Sequence, residues 1–161
     1  QRWAMDFVHD SLDDGRAFRV LVVVDLFSRQ LVCLEAETSF TGRKVADCLE
    51  RAAKGRLPES ITSDNGTEFT SKEFDAWAFE RGVQLDFIRP GKPTENGFCE
   101  SLNGRFRDEC LNAHVFLSLV DAKNKISEWK TEYNTVRPHS ALGKLTPCEY
   151  VRRWKSEGLT N

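Results

Sequence analysis

Hydrophobic and polar positions alternate from the first residues onward. Trp3, Met5 and Phe7 fall on one side of an extended segment and Ala4, Asp6 and Val8 on the other, the two-residue period of a β-strand. The polar residues 11–16 follow, and their Asp14-Gly15 pair supplies the positive φ of a tight reversal. Residues 18–24 are then an apolar, β-branched run broken only by Arg19, as expected of a central strand covered on both faces. After an interruption at residues 25–29 a third strand occupies 31–34, and the short polar turns imply an antiparallel meander. Between Thr41 and Lys54 the spacing changes to three and four, with Val45, Leu49 and Ala52 beside Ala46 and Ala53 on one helix face. A short strand over 60–63 runs into Asp64-Asn65-Gly66. A second helix begins after Thr70, where Thr70-Ser71-Lys72-Glu73 has capping-box spacing, and ends at Gly82. Residues 83–88 read as a fifth strand and 89–93 as a loop. A third helix runs from Thr94 or Glu95 to Leu111, a fourth from Val120 to Tyr133, and Thr146-Pro147 opens a last short helix to Trp154. This order predicts an α/β fold: a five-stranded mixed sheet, three antiparallel strands first, flanked by helices on both faces.

Composition narrows the partners. Of the 161 residues 40% are hydrophobic, enough for one core, so one domain over 1–161 is expected, with 136–161 a C-terminal extension packed on or beside it. No run approaches the roughly 20 apolar residues of a membrane span, and the chain enters strand-like sequence without a charged and apolar leader. A cytoplasmic protein with no membrane partner is expected. Starting at Gln and already in structure, it reads as part of a longer chain. The five cysteines, Cys33, Cys48, Cys99, Cys110 and Cys148, include no C-x-x-C pair, which argues against a disulfide framework or a zinc ribbon. The net charge of -2 removes the argument for nucleic-acid binding from a globally basic chain. It conceals an asymmetry, because residues 1–88 carry a net -5 and residues 89–161 a net +3.

Three acids stand out by position. Asp6 lies inside the first strand, Asp64 where the fourth ends, and Glu100 within the third helix. A carboxylate in mid-strand is costly to bury unless it meets a cation or a metal. At about 100° per residue, Phe98, Cys99, Leu102, Phe106 and Cys110 share one side of the third helix. Asn96, Glu100, Asn103 and Arg107 share the other, a stripe suited to an anionic ligand near a metal. Asp25 and Glu68 are nearby acids with more ordinary structural readings.

Four blocks carry a resemblance: Trp3-Ala4-Met5-Asp6-Phe7, Val24-Asp25-Leu26-Phe27-Ser28-Arg29, Ser63-Asp64-Asn65-Gly66-Thr67-Glu68-Phe69, and residues 90–101 ending in Asn96-Gly97-Phe98-Cys99-Glu100-Ser101. With the 35 residues between Asp64 and Glu100, and with Asn103-Gly104, Arg107-Asp108-Glu109, Tyr133-Asn134 and Arg137-Pro138-His139 further on, the chain resembles the catalytic core of DDE transposases of bacterial insertion sequences, related to retroviral integrases.

The resemblance implies a ribonuclease-H-like fold and a Mg-dependent polynucleotidyl transferase or endonuclease. Asp6, Asp64 and Glu100 would be its catalytic and metal-binding triad. Two Mg²⁺ ions, about 4 Å apart with DNA bound and replaceable by Mn²⁺, would serve cleavage at transposon ends and strand transfer. The partners implied are transposon-end DNA, target DNA and further protomers of a homodimer or higher oligomer in a bacterial cytoplasm, with a DNA-binding region upstream of the core. Lys92, Asn96, Asn103, Arg107, Arg137 and His139 are candidate DNA contacts, with Asn96 and Asn103 alternatively orienting Glu100. Two other readings stay open: a ribonuclease-H-like nuclease acting on RNA in hybrids, and a non-catalytic DNA-binding or assembly module of the same fold.

Overall fold

The computed structural model describes residues 1–88 and 97–158. Its strands are β1 (Arg2–Ser11), β2 (Ala17–Asp25), β3 (Leu31–Glu37), β4 (Ser60–Ser63) and β5 (Gln84–Phe87). The helices are α1 (Gly42–Ala53), α2 (Lys72–Arg81), α3 (Gly97–Phe106), α4 (Leu119–Thr135) and α5 (Pro147–Ser156). The strands form one sheet in the order β3-β2-β1-β4-β5. β1, β2 and β3 pair antiparallel, while β4 adds parallel to β1 and β5 parallel to β4. This is the mixed sheet that the sequence order predicts.

The alternation in β1 sorts its side chains between two cores. Ala4 and Val8 join Val20, Val22 and Val24 of β2 against Cys99, Leu102 and Phe106 of α3 and Ala122, Ile126 and Tyr133 of α4. Trp3 and Met5 join Leu21, Val23 and Ile61 against Val45 and Leu49 of α1 and Phe74 of α2. β2 contributes to both cores, which is why its sequence is an almost continuous apolar run. The reversal after β1 has Gly15 at φ +88°, a conformation that glycine adopts without a Cβ penalty, and Leu12 N–H donates to Arg16 O across it at 2.8 Å.

Caps explain most helix boundaries. The Thr41 hydroxyl accepts from Lys44 N–H at α1, and Thr146 with Glu149 forms a full capping box at α5. At α2 the cap is Ser71, which accepts from Phe74 N–H, rather than Thr70; the Thr70 hydroxyl instead donates back to Gly66 O at 3.2 Å. A second difference lies beyond α3. The regular helix stops at Phe106, and Arg107–Leu111 winds as a π-helix in which Asn112 N–H donates to Arg107 O. The wider turn lets both Cys110 and Leu111 join the core behind Phe106. The expected start of the third helix at Thr94 or Glu95 lies outside the described residues, as does the loop at 89–93.

α5 lies alongside α4, and its Tyr150 and Trp154 rings pack on Phe27 of the β2–β3 turn, with centroids 5.5 and 4.8 Å away. Among the described residues, no helix is long and apolar enough to cross a membrane.

Candidate active site

Asp6 sits opposite Val22 in the β1–β2 ladder, on the sheet face that carries α3 and α4. Its carboxylate is half-buried. One oxygen accepts from Phe7 N–H at 2.8 Å and the other from the Asn103 side-chain amide of α3 at 3.0 Å. Burial raises the Asp6 pKa above the usual carboxylate range, and the negative charge of Asp64 adds to the rise; the bonds from Phe7 and Asn103 oppose it.

The sheet itself brings the second acid to the first. β1 and β4 run parallel with Ala4 opposite Thr62, and two further residues along each strand lead to Asp6 and Asp64. Asp64 is exposed just past the end of β4, where one carboxylate oxygen accepts from Gly66 N–H at 2.8 Å. A Cβ at residue 66 would stand 3.0 Å from that oxygen, so glycine permits the approach. Glu100 is exposed on α3, one turn before Asn103. Immediately before Glu100, Cys99 is buried in the core; burial pushes its thiol up to about 12, helped by the charges of Asp6 and Glu100 and opposed by that of Arg29. Asp6 and Glu100 thus act on one buried thiol from neighbouring elements.

Among the described residues no three His, Cys, Asp or Glu side chains converge closely enough to hold a metal ion. The donor chemistry nevertheless suits a hard cation. The three acids offer only oxygens, and the Asn103 side-chain oxygen is buried beside Asp6 without a hydrogen-bond partner. Such an acceptor is satisfied by a cation or by its hydration water.

The remaining candidates separate. Asn103 binds Asp6, not Glu100. Arg107 donates to His9 O at 3.0 Å and lines, with Phe7, Val8, His9, Asn103 and Gly104, a cleft of about 260 Å³ beside Asp6. His9 has no signal in the sequence, since only the tertiary meeting of β1 with α3 brings it there. Arg137 is engaged within the fold: it pairs with Glu109 of the π-helix and, at 3.3 Å, with Glu132 of α4. His139 is buried, edge-on to the Tyr133 ring at 4.6 Å, and burial lowers its pKa. Lys92 and Asn96 lie outside the described residues. Asp25 and Glu68 have structural work: Asp25 accepts from Phe27 N–H and the Ser28 hydroxyl, and Glu68 pairs with Arg19, whose guanidinium lies 4.0 Å over the Phe7 ring.

The strand order and the two-sided cover of helices define a ribonuclease-H-like α/β domain. Models of the integrase core domain match residues 1–93 and 81–147, and the chain belongs to that family. It is 44% identical over 155 residues to the insertion element IS407 31.7 kDa protein of Burkholderia multivorans, a match covering 96% of this chain and 56% of that protein. It is 26% identical over 154 residues to the transposase for insertion sequence element IS904 of Lactococcus lactis, covering 93% of this chain and 60% of the relative. The chain therefore spans little more than half the length of these curated relatives. In fold it is similar to the HTLV-2 integrase catalytic core domain solved in complex with magnesium, with a TM-score of 0.65, 20% identity, and 93% and 94% of the two chains covered.

Proposed function

We propose that this chain is the catalytic core of a DDE transposase, cleaving DNA at the ends of an insertion element and joining the freed strand to target DNA. The observation that carries the reading is the meeting of Asp6 with Asp64 across parallel strands, beside the Asn103 amide of the helix that bears Glu100, in a chain of the integrase core family. Asp6, Asp64 and Glu100 would hold two Mg²⁺ ions, with Mn²⁺ able to substitute. Bound there, a divalent cation supplies Lewis-acid stabilisation of charge on the reacting phosphate and lowers the pKa of a water or 3′-hydroxyl. The magnesium in the similar HTLV-2 core supports this choice of ion.

The chain's own residues have distinct tasks. Asn103 fixes the Asp6 carboxylate through one bond, while its own side-chain oxygen is buried without a partner. Gly66 N–H holds the Asp64 carboxylate at the strand end. Arg107, anchored on His9 O at the mouth of the cleft, offers its remaining N–H groups to a phosphate beside the acids. We assign Arg137 and His139 to bracing the π-helix and α4 instead of DNA, and residues 136–161 to a C-terminal extension of the core. Transposon-end and target DNA are the proposed substrates, within an assembly of two or more protomers.

Replacing Asp64 with Asn or Glu100 with Gln is expected to abolish Mg²⁺-dependent cleavage of a transposon-end duplex while leaving the far-UV circular dichroism unchanged. Full cleavage by either folded variant would contradict the assignment.

A further inference from the structure

Arg19 is the only basic residue of β2. It shares a strand face with Leu21 and Val23, the face that packs on α1 and α2, and so lies on the side of the sheet away from Asp6. Its ladder neighbours are His9 of β1 and Glu37 of β3, and Glu37 is paired with Lys44 and Lys123. Arg19 turns instead to Glu68, in the loop between β4 and α2, and the two side chains are only 21% and 17% exposed. A pair so covered is screened by salt far less than one on the open surface. The guanidinium beside it holds the Glu68 carboxyl below the usual carboxylate range.

The same guanidinium meets the neighbours of both strand acids. Its carbon lies 4.0 Å from the centroid of the Phe7 ring, and Phe7 N–H is the backbone donor to the Asp6 carboxylate. The Phe7 ring stacks on Phe69, with centroids 5.0 Å apart and planes 6° from parallel. Phe69 is buried next to Glu68 in the chain, and its N–H donates to the carbonyl of Gly66, the residue whose own N–H holds Asp64. A Cβ at residue 66 would stand 3.4 Å from Glu68 Oε2, so the ion pair also abuts this turn. Arg19 Nε is buried without a hydrogen-bond partner, a cost of the pose that sets one group against both Phe7 and Glu68.

We propose that Arg19, through Glu68 and the Phe7–Phe69 stack, is a positioning residue that fixes Asp64 at the distance from Asp6 at which both carboxylates reach one divalent cation. This role rests on the reading of Asp6 and Asp64 as metal ligands. Asp64 lies past the last ladder pair of β4, so the sheet alone does not set that distance. The negative charges of the two acids oppose each other before a cation arrives, and the loop contacts resist that separation. A lysine at position 19 would supply the charge for Glu68 without the planar group that lies over Phe7.

The test uses the ¹⁵N-labelled chain. Arg19→Met combined with Glu68→Gln replaces both charges with uncharged side chains, so neither charge is left covered and alone, and the thermal melt is expected to match the parent. Without metal, amide exchange is expected to quicken at Gly66 and Phe69 but not along β1 and β2. On titration with Mn²⁺, the apparent Kd read from broadening at Phe7 and Gly66 is expected to rise about tenfold, the scale of losing an outer support of metal ligands. Arg19→Lys is expected to fall between the parent and the double variant. A double variant with the parent's Mn²⁺ affinity would overturn the role of Arg19 and leave the metal site standing. Weaker affinity accompanied by a lower melt and faster exchange throughout the sheet would also overturn it, since the pair would then serve stability alone. A parent chain in which Mn²⁺ broadens no amides near Asp6 and Asp64 would overturn the metal reading itself, and the positioning role with it.

Discussion

At Asp6 the folded chain holds a carboxylate where burial and Asp64 both favour the protonated form. As pH rises, the unfolded chain loses this proton first. Stability therefore falls through the window from the ordinary Asp pKa up to the raised folded one, and the cost persists at neutral pH. Asp6→Asn removes that cost, and the Asn103 amide can turn its unpaired oxygen toward the new side-chain N–H₂. A higher Tm than the parent chain at pH 7 without divalent metal is expected, together with loss of cleavage; a lower Tm would show that Asp6 is held by a favourable contact instead. Asn103→Ala leaves Asp6 without its side-chain donor, and a drop in kcat of about 10- to 100-fold with a small change in KM is expected if, as proposed, Asp6 binds metal and Asn103 is its outer partner. Steady-state kinetics on one DNA substrate distinguishes this from weakened DNA binding, which would move KM. Asp6 was legible in the sequence as a mid-strand carboxylate that needed a partner, whereas Asp64, at a turn, and Glu100, on a helix, stood out only through their joint spacing and the resemblance that it carries. The Asn103–Asp6 bond was not, because helix periodicity gives the face that Asn103 occupies but not which strand that face meets.

At the scale of elements, the site depends on how α3 and α4 are seated on the sheet. Leu102 is buried among α3, α4 and β2 side chains, and Leu102→Ala is expected to cost about 2–5 kcal/mol, read from urea unfolding. Asn134→Ala strands the buried N–H and carbonyl of Leu31 at once; a loss of about 1–3 kcal/mol is expected, with faster amide exchange at the start of β3. That bond also explains Tyr133-Asn134, a pair whose meaning the chain order did not reveal: Asn134 closes the start of the sheet edge, and Tyr133 lies under His139. The strands and helices were legible because apolar spacing and capping residues act locally. Two features depended on competition that spacing does not encode. Ser71 takes the cap of α2 because the Thr70 hydroxyl is engaged with Gly66, and the third helix widens into a π turn where consecutive residues, Cys110 and Leu111, are both buried.

Over the whole molecule, the near-zero net charge divides into a negative first part, which contributes Asp6 and Asp64, and a positive second part, which contributes Glu100 and Arg107. A divalent cation at the proposed site would offset the repulsion between these acids and a phosphate backbone. DNA binding by the chain is therefore expected to be weak without metal, to strengthen on adding Mg²⁺, and to fall as salt rises. The central claim is that Asp6, Asp64 and Glu100 together hold divalent metal. Nuclear magnetic resonance of the labelled chain titrated with Mn²⁺ tests it without requiring DNA. The account predicts selective broadening of amides around Asp6, Asp64 to Gly66 and Glu100 to Asn103, abolished in the Asp64→Asn variant. Broadening spread over surface acids generally, or unchanged in that variant, would contradict it.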